Sequence, residues 1–235
     1  MTPTWQSAAH ALVSDLRNVF GDRLRSVVAY GPPIEGQSGV PLTCLALVSS
    51  LGVNDLDACA RHTPRWRRNR IATPLVMSET EFRTSLDAFP LEYGEIIRSH
   101  ERVHGGDPFA GVAISVPDLR RACETQIKSH LVHLREGFLE AGSHPAAIAE
   151  LVTASAPAFT ALLRHVAWLG GSTSRDRWEA TRAGARAADI PGTIVADMIA
   201  LAQQSGVRTS DPARLFPDYL AAVEQLARTV DTWRV

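Results

Sequence analysis

Three stretches of this sequence have residue types and spacings that could carry chemistry. The first is a glycine- and proline-rich break at residues 30–36, between apolar runs at residues 24–30 and 42–48. The second is His100-Glu101-Arg102-Val103-His104, and the third is the segment 61–70, in which five of ten residues are Arg. A sharply turning loop between buried strands is suited to ligand binding, H-E-x-x-H to zinc binding, and clustered Arg to phosphate contact.

The histidine pair supports a zinc hypothesis that depends on secondary structure. On a helix, His100 and His104 would share one face and bind zinc, with Glu101 as general base and Glu124 as a downstream third ligand. On a strand, side chains four residues apart stand about 13 Å apart, which is too far for one metal ion. Arg98 precedes the motif, Arg102 lies within it, and two glycines follow it directly, whereas zincin helices prefer uncharged residues there. The zinc site at His100, His104 and Glu124 is therefore a secondary hypothesis.

The basic segment allows two interpretations. Arg67 and Arg68 are suited to bidentate phosphate contact, and the indole of Trp66 could stack on a base. Alternatively, the segment is a solvated helix face whose Trp66 packs inward. The whole chain has a formal net charge of −1, so no overall field favours nucleic acid, and we expect at most nucleotide contact here.

Polar residues also lie near the apolar stripes of the later helices. His130 and His133 are three residues apart and could jointly bind a ligand, or could each line the edge of a core. Arg164, His165 and Trp168 admit the same two interpretations. The sequence contains neither a G-x-S-x-G motif nor a P-loop, so hydrolase and NTPase classes have no local support.

The elements that would position these residues change in character along the chain. Up to about residue 112 we expect a helix at residues 5–20, strands on both sides of the break, a helix capped by Asn54 or Asp55, and strands at 72–78 and 91–97. From Ser115 the apolar period becomes 3.6, and helices are expected to start at Ser115, Ser143, Ser174, Pro191 and Asp211. The prediction is an α+β fold, with a mixed-sheet domain at residues 1–112 and an antiparallel helical bundle at 113–235.

Composition agrees with a soluble protein. Apolar residues make up 45% and charged residues 21% of the chain, which are ordinary values for a globular protein. Three separated cysteines fit reduced thiols. The first residues carry no basic charge before their apolar positions, and the least charged window, 151–163, is too short to cross a bilayer. We expect a cytoplasmic protein without membrane association.

The break resembles the loop of minimal nucleotidyltransferases of the polymerase-beta type. That loop usually reads Tyr-Gly-Ser-x-Ala-Arg-Gly and precedes a strand, Ser-Asp-x-Asp-Leu, whose two carboxylates hold the catalytic magnesium ions. Tyr30, Gly31 and Gly36 match the loop, and the later helices resemble the bundle of kanamycin-type nucleotidyltransferases. The resemblance implies nucleotide binding at these three residues and a third carboxylate on a later strand, at Glu95 or else at Glu92.

The chain departs from the family pattern where catalysis needs it most. Aligned on the apolar residues 45–48, the two carboxylate positions fall on Leu42 and Cys44, and the loop Ser and Arg become Pro32 and Glu35. Magnesium requires oxygen ligands, which neither a Leu nor a thiol supplies. We therefore predict a degenerate site that keeps Glu95 as its single candidate carboxylate, needs no cofactor, and retains nucleotide or partner binding.

Two alternatives stay open at this point. The first is an active Mg²⁺-dependent nucleotidyltransferase that modifies a small molecule such as an aminoglycoside, with Asp55 and Asp57 as replacement metal ligands. The second is a protein-interaction module, in which the helical bundle pairs with a second copy or with a toxin-like partner.

Overall fold

A computed structural model describes residues 4–36, 39–203 and 211–233. The chain divides into two compact units, Met1–Ile114 and Ser115–Val235. The described part of the first unit combines a four-stranded mixed sheet with helices, and that of the second unit is helical. The predicted α+β fold class is therefore confirmed.

The first unit contains four strands and five α-helices in its described residues. They are α1 (Trp5–Phe20), β1 (Leu24–Tyr30), β2 (Thr43–Val48), α2 (Val53–Ala60), α3 (Thr63–Arg68), β3 (Leu75–Ser78), α4 (Glu79–Thr84), α5 (Pro90–Arg98) and β4 (His100–Gly105). The sheet order is β3-β2-β1-β4, with β1 antiparallel to β2 and β4, and β2 parallel to β3. The break at residues 30–36 therefore follows the end of β1 and precedes β2.

The two central strands are apolar on both faces because helices or loops cover both sides of the sheet. On one face, Ala29 and Cys44 belong to a core cluster that includes Leu12 and Leu16 of α1. On the other face, Leu45 packs with residues of α4, α5 and the segment after β4, namely Phe82, Tyr93, Ile96 and Phe109. Successive residues of β2 therefore alternate between two separate cores.

The predicted strand at residues 91–97 is wrong, because this segment forms α5. Pro90 lies in the first helical turn, where its missing N–H costs nothing. Leu91, Tyr93 and Ile96 are buried, and a helix brings such residues onto one side. The strand instead begins at His100, after the helix has ended at Arg98. The start of α2 also differs from the prediction, since its N-cap is Gly52 rather than Asn54 or Asp55.

The second unit contains five helices in its described residues. They are α6 (Val116–Ala141), α7 (Pro145–Leu169), α8 (Arg177–Ala187), α9 (Gly192–Ala202) and α10 (Pro212–Thr232). The helix α7 contacts the other four. Helix α8 packs closely against α7 at Gly184, where a Cβ atom would lie only 1.7 Å from the carbonyl oxygen of Leu163. Glycine permits this approach because it has no Cβ atom. This helix starts at Arg177, capped by Asp176, rather than at Ser174 as predicted.

Among the described helices, only α7 is long and apolar enough to cross a membrane by length and composition. It also contacts α6, α8, α9 and α10, and most residues of its second half are buried. The central helix of a bundle is apolar on most of its surface because other helices surround it, so its length and composition resemble those of a membrane-spanning helix.

Candidate functional site

The loop after β1 is built from successive tight turns. The N–H groups of Ile34, Glu35 and Gly36 donate to the carbonyl oxygens three residues earlier, at 3.1, 3.2 and 3.4 Å. Gly31 and Gly36 have φ values of 78° and 89°, in the left-handed region that glycine adopts at least cost. The sequence therefore predicted the turning loop correctly, with its glycines at positions that require them.

The first part of the loop, residues 31–36, has few backbone donors left for a phosphate group. Gly31–Gly36 contains four N–H groups, because Pro32 and Pro33 have none. Three of the four are used inside the turns described above. A ligand at residues 31–36 would therefore have to be held mainly by side chains rather than by a cradle of backbone N–H groups.

A row of half-buried polar side chains crosses the sheet at the loop end. Thr43 of β2 pairs with Tyr30 of β1, which pairs with His100 of β4. The Thr43 hydroxyl donates to the Tyr30 carbonyl oxygen at 2.5 Å, and a Cβ atom at Gly31 would lie 3.2 Å from the same hydroxyl. Burial raises the pKa of the Tyr30 hydroxyl. Thr43 was missed by sequence reasoning, because nothing in its local sequence shows that it faces Tyr30.

The two positions aligned with the catalytic carboxylates lie inside a core. Leu42 and Cys44 are 2% and 1% exposed and belong to the cluster that includes residues of α1. Burial raises the pKa of the Cys44 thiol to about 12, so the thiol stays protonated and is a poor metal ligand. The opposite face at this place carries Thr43 and Leu45. Neither face of residues 42–45 therefore offers a carboxylate.

Glu95 does not lie on a strand. It is half-buried on α5, whereas the strand that flanks β1 on the side away from β2 is β4, in which Glu101 pairs with Ala29. The prediction that Glu95 lies on a strand as the third carboxylate is therefore wrong, because Glu95 lies on a helix. Glu92, the alternative, lies exposed in the first turn of the same helix.

The replacement ligands Asp55 and Asp57 lie at the other end of the sheet. The Asp55 carboxylate accepts hydrogen bonds from both terminal nitrogens of Arg23, at 2.8 and 2.6 Å. Arg23 directly precedes β1, whose seven residues put roughly 20 Å between this end and the loop. Hydrogen bonds from Arg23 hold the pKa of Asp55 at about 2. Asp55 therefore forms an ion pair with Arg23 at the start of α2 and lies too far from Gly31 to bind a metal ion there.

The basic segment forms α3, and its tryptophan points inward. Trp66 is 2% exposed, and its indole N–H donates to Asp15 at 3.0 Å, so the indole is not available to stack on a base. Arg67 and Arg68 are exposed. The Arg that reaches the loop is instead Arg70, whose guanidinium donates to the carbonyl oxygen of Gly39.

The histidine pair lies on β4, whereas the zinc hypothesis requires both histidines on one face of a helix. The predicted zinc site is therefore wrong. A bulge in the pairing places His100 opposite Tyr30 and His104 opposite Val27. Because Tyr30 and Val27 are three apart on β1, they point to opposite faces, and so do the histidines paired with them. His100 Nδ1 lies 3.1 Å from the carbonyl oxygen of Ile96, which can only accept, so this nitrogen carries the proton.

Glu124, the proposed third zinc ligand, belongs to α6 in the second unit. Its carboxylate forms ion pairs with Arg120 at 3.2 Å and Lys128 at 2.7 Å. Within the described ranges, no group of three or more His, Cys, Asp and Glu side chains is arranged to hold a metal ion.

The polar residues of the bundle have separate partners. His130 Nε2 lies 2.6 Å from the Tyr219 hydroxyl, whereas His133 is exposed and contacts Glu136 at 2.9 Å. They do not form a joint site. Arg164 and His165 are buried in α7, as expected for polar residues of a packed helix.

The order of elements and the mixed sheet followed by helices are those of a nucleotidyltransferase fold. A spectinomycin adenyltransferase from Enterococcus faecialis, whose crystal structure was determined with ATP and spectinomycin, has a similar fold. The TM-score is 0.56 at 13% sequence identity, and the match covers 94% of this chain and 98% of the other. At this identity the likeness shows the fold alone. No protein-family model matches the chain, and no curated protein matches it.

Proposed function

We propose that this chain is a nucleotidyltransferase-fold protein that does not carry out metal-dependent transfer and that binds a nucleotide at the loop end of its sheet. One observation carries the proposal: residues 42–45, which should supply the paired metal ligands, are Leu, Thr, Cys and Leu. Two metal ions normally neutralise the phosphates and activate the attacking hydroxyl. A single carboxylate at Glu95 cannot replace the pair.

Three features support a retained nucleotide site. The likeness to an adenyltransferase solved with ATP extends over nearly the whole of both chains. The loop end of the sheet carries half-buried polar groups on Tyr30 and Thr43. Arg67 and Arg68 are exposed on α3, and this helix is tied to the loop through Arg70. Side-chain contacts of this kind bind phosphates without a metal ion.

The test is a thermal-shift titration of the full chain with ATP, GTP, CTP and UTP, each with and without Mg²⁺. We expect at least one nucleotide to raise the Tm by about 5 to 10 °C at a hundredfold excess over its Kd, with no requirement for Mg²⁺. Transfer of labelled nucleotide to an aminoglycoside should give no product. Product that disappears on Glu95→Ala would show an active transferase instead.

A matched pair of variants checks the position of the site. Arg67→Ala with Arg68→Ala should reduce the nucleotide-induced shift, because it removes two exposed cations of α3. Arg182→Ala with Arg186→Ala removes two exposed cations of α8 and should leave the shift unchanged. Equal losses in both variants would indicate a nonspecific charge effect. A Tm that responds to none of the four nucleotides would exclude the nucleotide site.

The alternative of a pairing surface on the bundle has one supporting observation. Val132 and Leu139 are seven residues apart on α6 and are 50% and 78% exposed, so they lie on one side of the helix. Exposed apolar groups of this kind suit a partner surface. Light scattering of the full chain, compared with Leu139→Glu, tests it: a dimer that the substitution converts to a monomer would favour this alternative.

A further inference from the structure

Arg70 occupies a backbone conformation that glycine normally takes at the end of a helix. Its φ is 58°. The N–H of Arg70 donates to the carbonyl oxygen of Arg67 at 3.1 Å, and that of Ile71 donates to Trp66 at 2.9 Å. This pair of bonds is the Schellman arrangement, in which glycine is the usual residue because a Cβ atom is unfavourable in the left-handed region.

Arg70 also contacts both Gly39 and Leu42, between the loop and β2. Its guanidinium donates to the carbonyl oxygen of Gly39. Its own carbonyl oxygen accepts from the N–H of Leu42 at 2.8 Å, and the Leu42 carbonyl oxygen accepts from Ala72 at 2.8 Å. A glycine at position 70 would keep the backbone bonds and relieve the conformation, but it would lose the bond to Gly39.

We propose that Arg70 is a positioning residue that orders the described residues of the loop between β1 and β2, namely 31–36 and 39–42, and that this role explains an Arg where glycine would fit the backbone better. The Arg70 side chain connects Gly39, in the part of the loop that precedes β2, to the C-terminal end of α3. Residues held in sparsely populated conformations are stable only when their surroundings hold them there, and they are frequent at functional sites. The inference concerns loop order; its effect on ligand affinity rests on the proposed nucleotide site.

The second unit contains a matched control for the backbone conformation. Asp189 has a φ of 53° and ends α8 in the same arrangement. Its N–H donates to Arg186 at 3.2 Å, and the N–H of Ile190 donates to Ala185 at 2.9 Å. Within the described residues, Arg70 and Asp189 are the two non-glycine residues with positive φ.

The experiment compares Arg70→Gly with Asp189→Gly in the full chain by hydrogen exchange and thermal unfolding. Both substitutions should leave the Tm within about 3 °C of the wild type or raise it, because each relieves a left-handed residue. Only Arg70→Gly should speed exchange of the amides at 34–36, by about tenfold or more. Unchanged loop exchange in Arg70→Gly, or equal acceleration in Asp189→Gly, would overturn the proposal.

Two further variants separate the side chain from the backbone. Asn tolerates the left-handed region but is too short to reach Gly39, so Arg70→Asn should exchange as fast as Arg70→Gly. Arg70→Lys keeps a long cationic donor and should recover part of the protection. A Tm that falls in step with loop protection across the series would mean that Arg70 stabilises the whole unit rather than positioning the loop.

Nucleotide affinity gives a readout that a purely structural role would not move. Where the wild type binds a nucleotide, Arg70→Gly should weaken that binding by about tenfold without lowering the ligand-free Tm by more than about 3 °C. Arg182→Ala, which removes one exposed cation of α8, serves as the charge control and should leave the affinity unchanged. An unchanged affinity together with a disordered loop would show that the loop does not contact the ligand. Where the wild type binds none, the proposed function fails and the exchange data alone decide the role of Arg70.

Discussion

Asp15 shows how one buried carboxylate fixes the position of α3. It is 3% exposed and accepts from the indole N–H of Trp66 at 3.0 Å and from Arg65 at 2.8 Å. His62 Nδ1 lies 3.7 Å from the same group. The carboxylate joins α1 to the helix that carries the basic segment, so Trp66 serves packing and the exposed Arg residues remain on the surface.

Asp15→Ala should lower the free energy of unfolding by about 1 to 3 kcal/mol, chiefly because it leaves the buried indole N–H of Trp66 without its acceptor. Arg65→Ala should cost about 1 kcal/mol or less, since the Arg65 side chain is 53% exposed. Urea unfolding followed by tryptophan fluorescence measures both. Equal losses in the two variants would contradict the dominant role given to the buried indole contact.

His130 should make the second unit sensitive to acid. Burial, with a smaller effect of His133, lowers the pKa of His130 to about 4, below the unfolded value near 6.5. The unfolded chain therefore binds more protons between pH 4 and 6.5. The free energy of unfolding of the second unit should therefore be highest above about pH 6.5. It should fall by up to about 2 to 3 kcal/mol as the pH decreases towards 4.

The groups that face this histidine are His133 on its own helix and the Tyr219 hydroxyl of α10. Tyr219 interacts in turn with Ser155 of α7. His130→Gln keeps a hydrogen-bonding group without the titration, so its Tm should change less between pH 7 and pH 4.5 than that of the wild type. His133→Gln, at an exposed position, removes only the smaller effect on His130 and should keep most of the wild-type pH dependence.

At the scale of elements, the register of β2 decides whether carboxylates could be placed at positions 42 and 44. Leu42 and Cys44 lie in the core cluster that includes residues of α1, whereas Thr43 is half-buried on the face of Tyr30. Leu42→Asp with Cys44→Asp should therefore unfold the first unit or greatly reduce its Tm, because buried carboxylates without partners are costly. Thr43→Asp should fold. Circular dichroism melts measure both, and a well-folded double variant would contradict the assigned register.

The sequence predicted elements better than their boundaries and their site contacts. The turning loop and the long amphipathic helices have strong local signals, in glycines, prolines and a 3.6-residue period. Residues 91–97 are a short apolar run of the kind that fits a strand or a helix, and Pro90 was the available helix signal. The contact of Arg70 with Gly39 joins residues 31 apart in sequence, and no local pattern encodes such a pairing.

At the scale of the whole molecule, the fold was predictable where the chemistry was not. A six-residue loop and a change of period were enough to suggest the architecture that the similarity to the adenyltransferase now supports at 13% identity. A fold tolerates replacement of most residues when the apolar pattern is kept. A metal site does not, because oxygen ligands at two fixed positions are required. Residues 42–45 of this chain, Leu-Thr-Cys-Leu, fit the apolar pattern and contain no carboxylate.

The two units should fold separately, because each encloses its own core. The sheet of the first unit is covered by α1 on one face and by α4 and α5 on the other, and in the second unit α7 contacts the other four helices. Residues 115–235 expressed alone should therefore give a helical circular dichroism spectrum and a cooperative thermal transition, as should residues 1–114 with a mixed spectrum. Two separate transitions whose midpoints match those of the full chain would agree with this prediction. A fragment that is unfolded alone but folds when mixed with the other would instead place part of its stability in contacts with the partner unit.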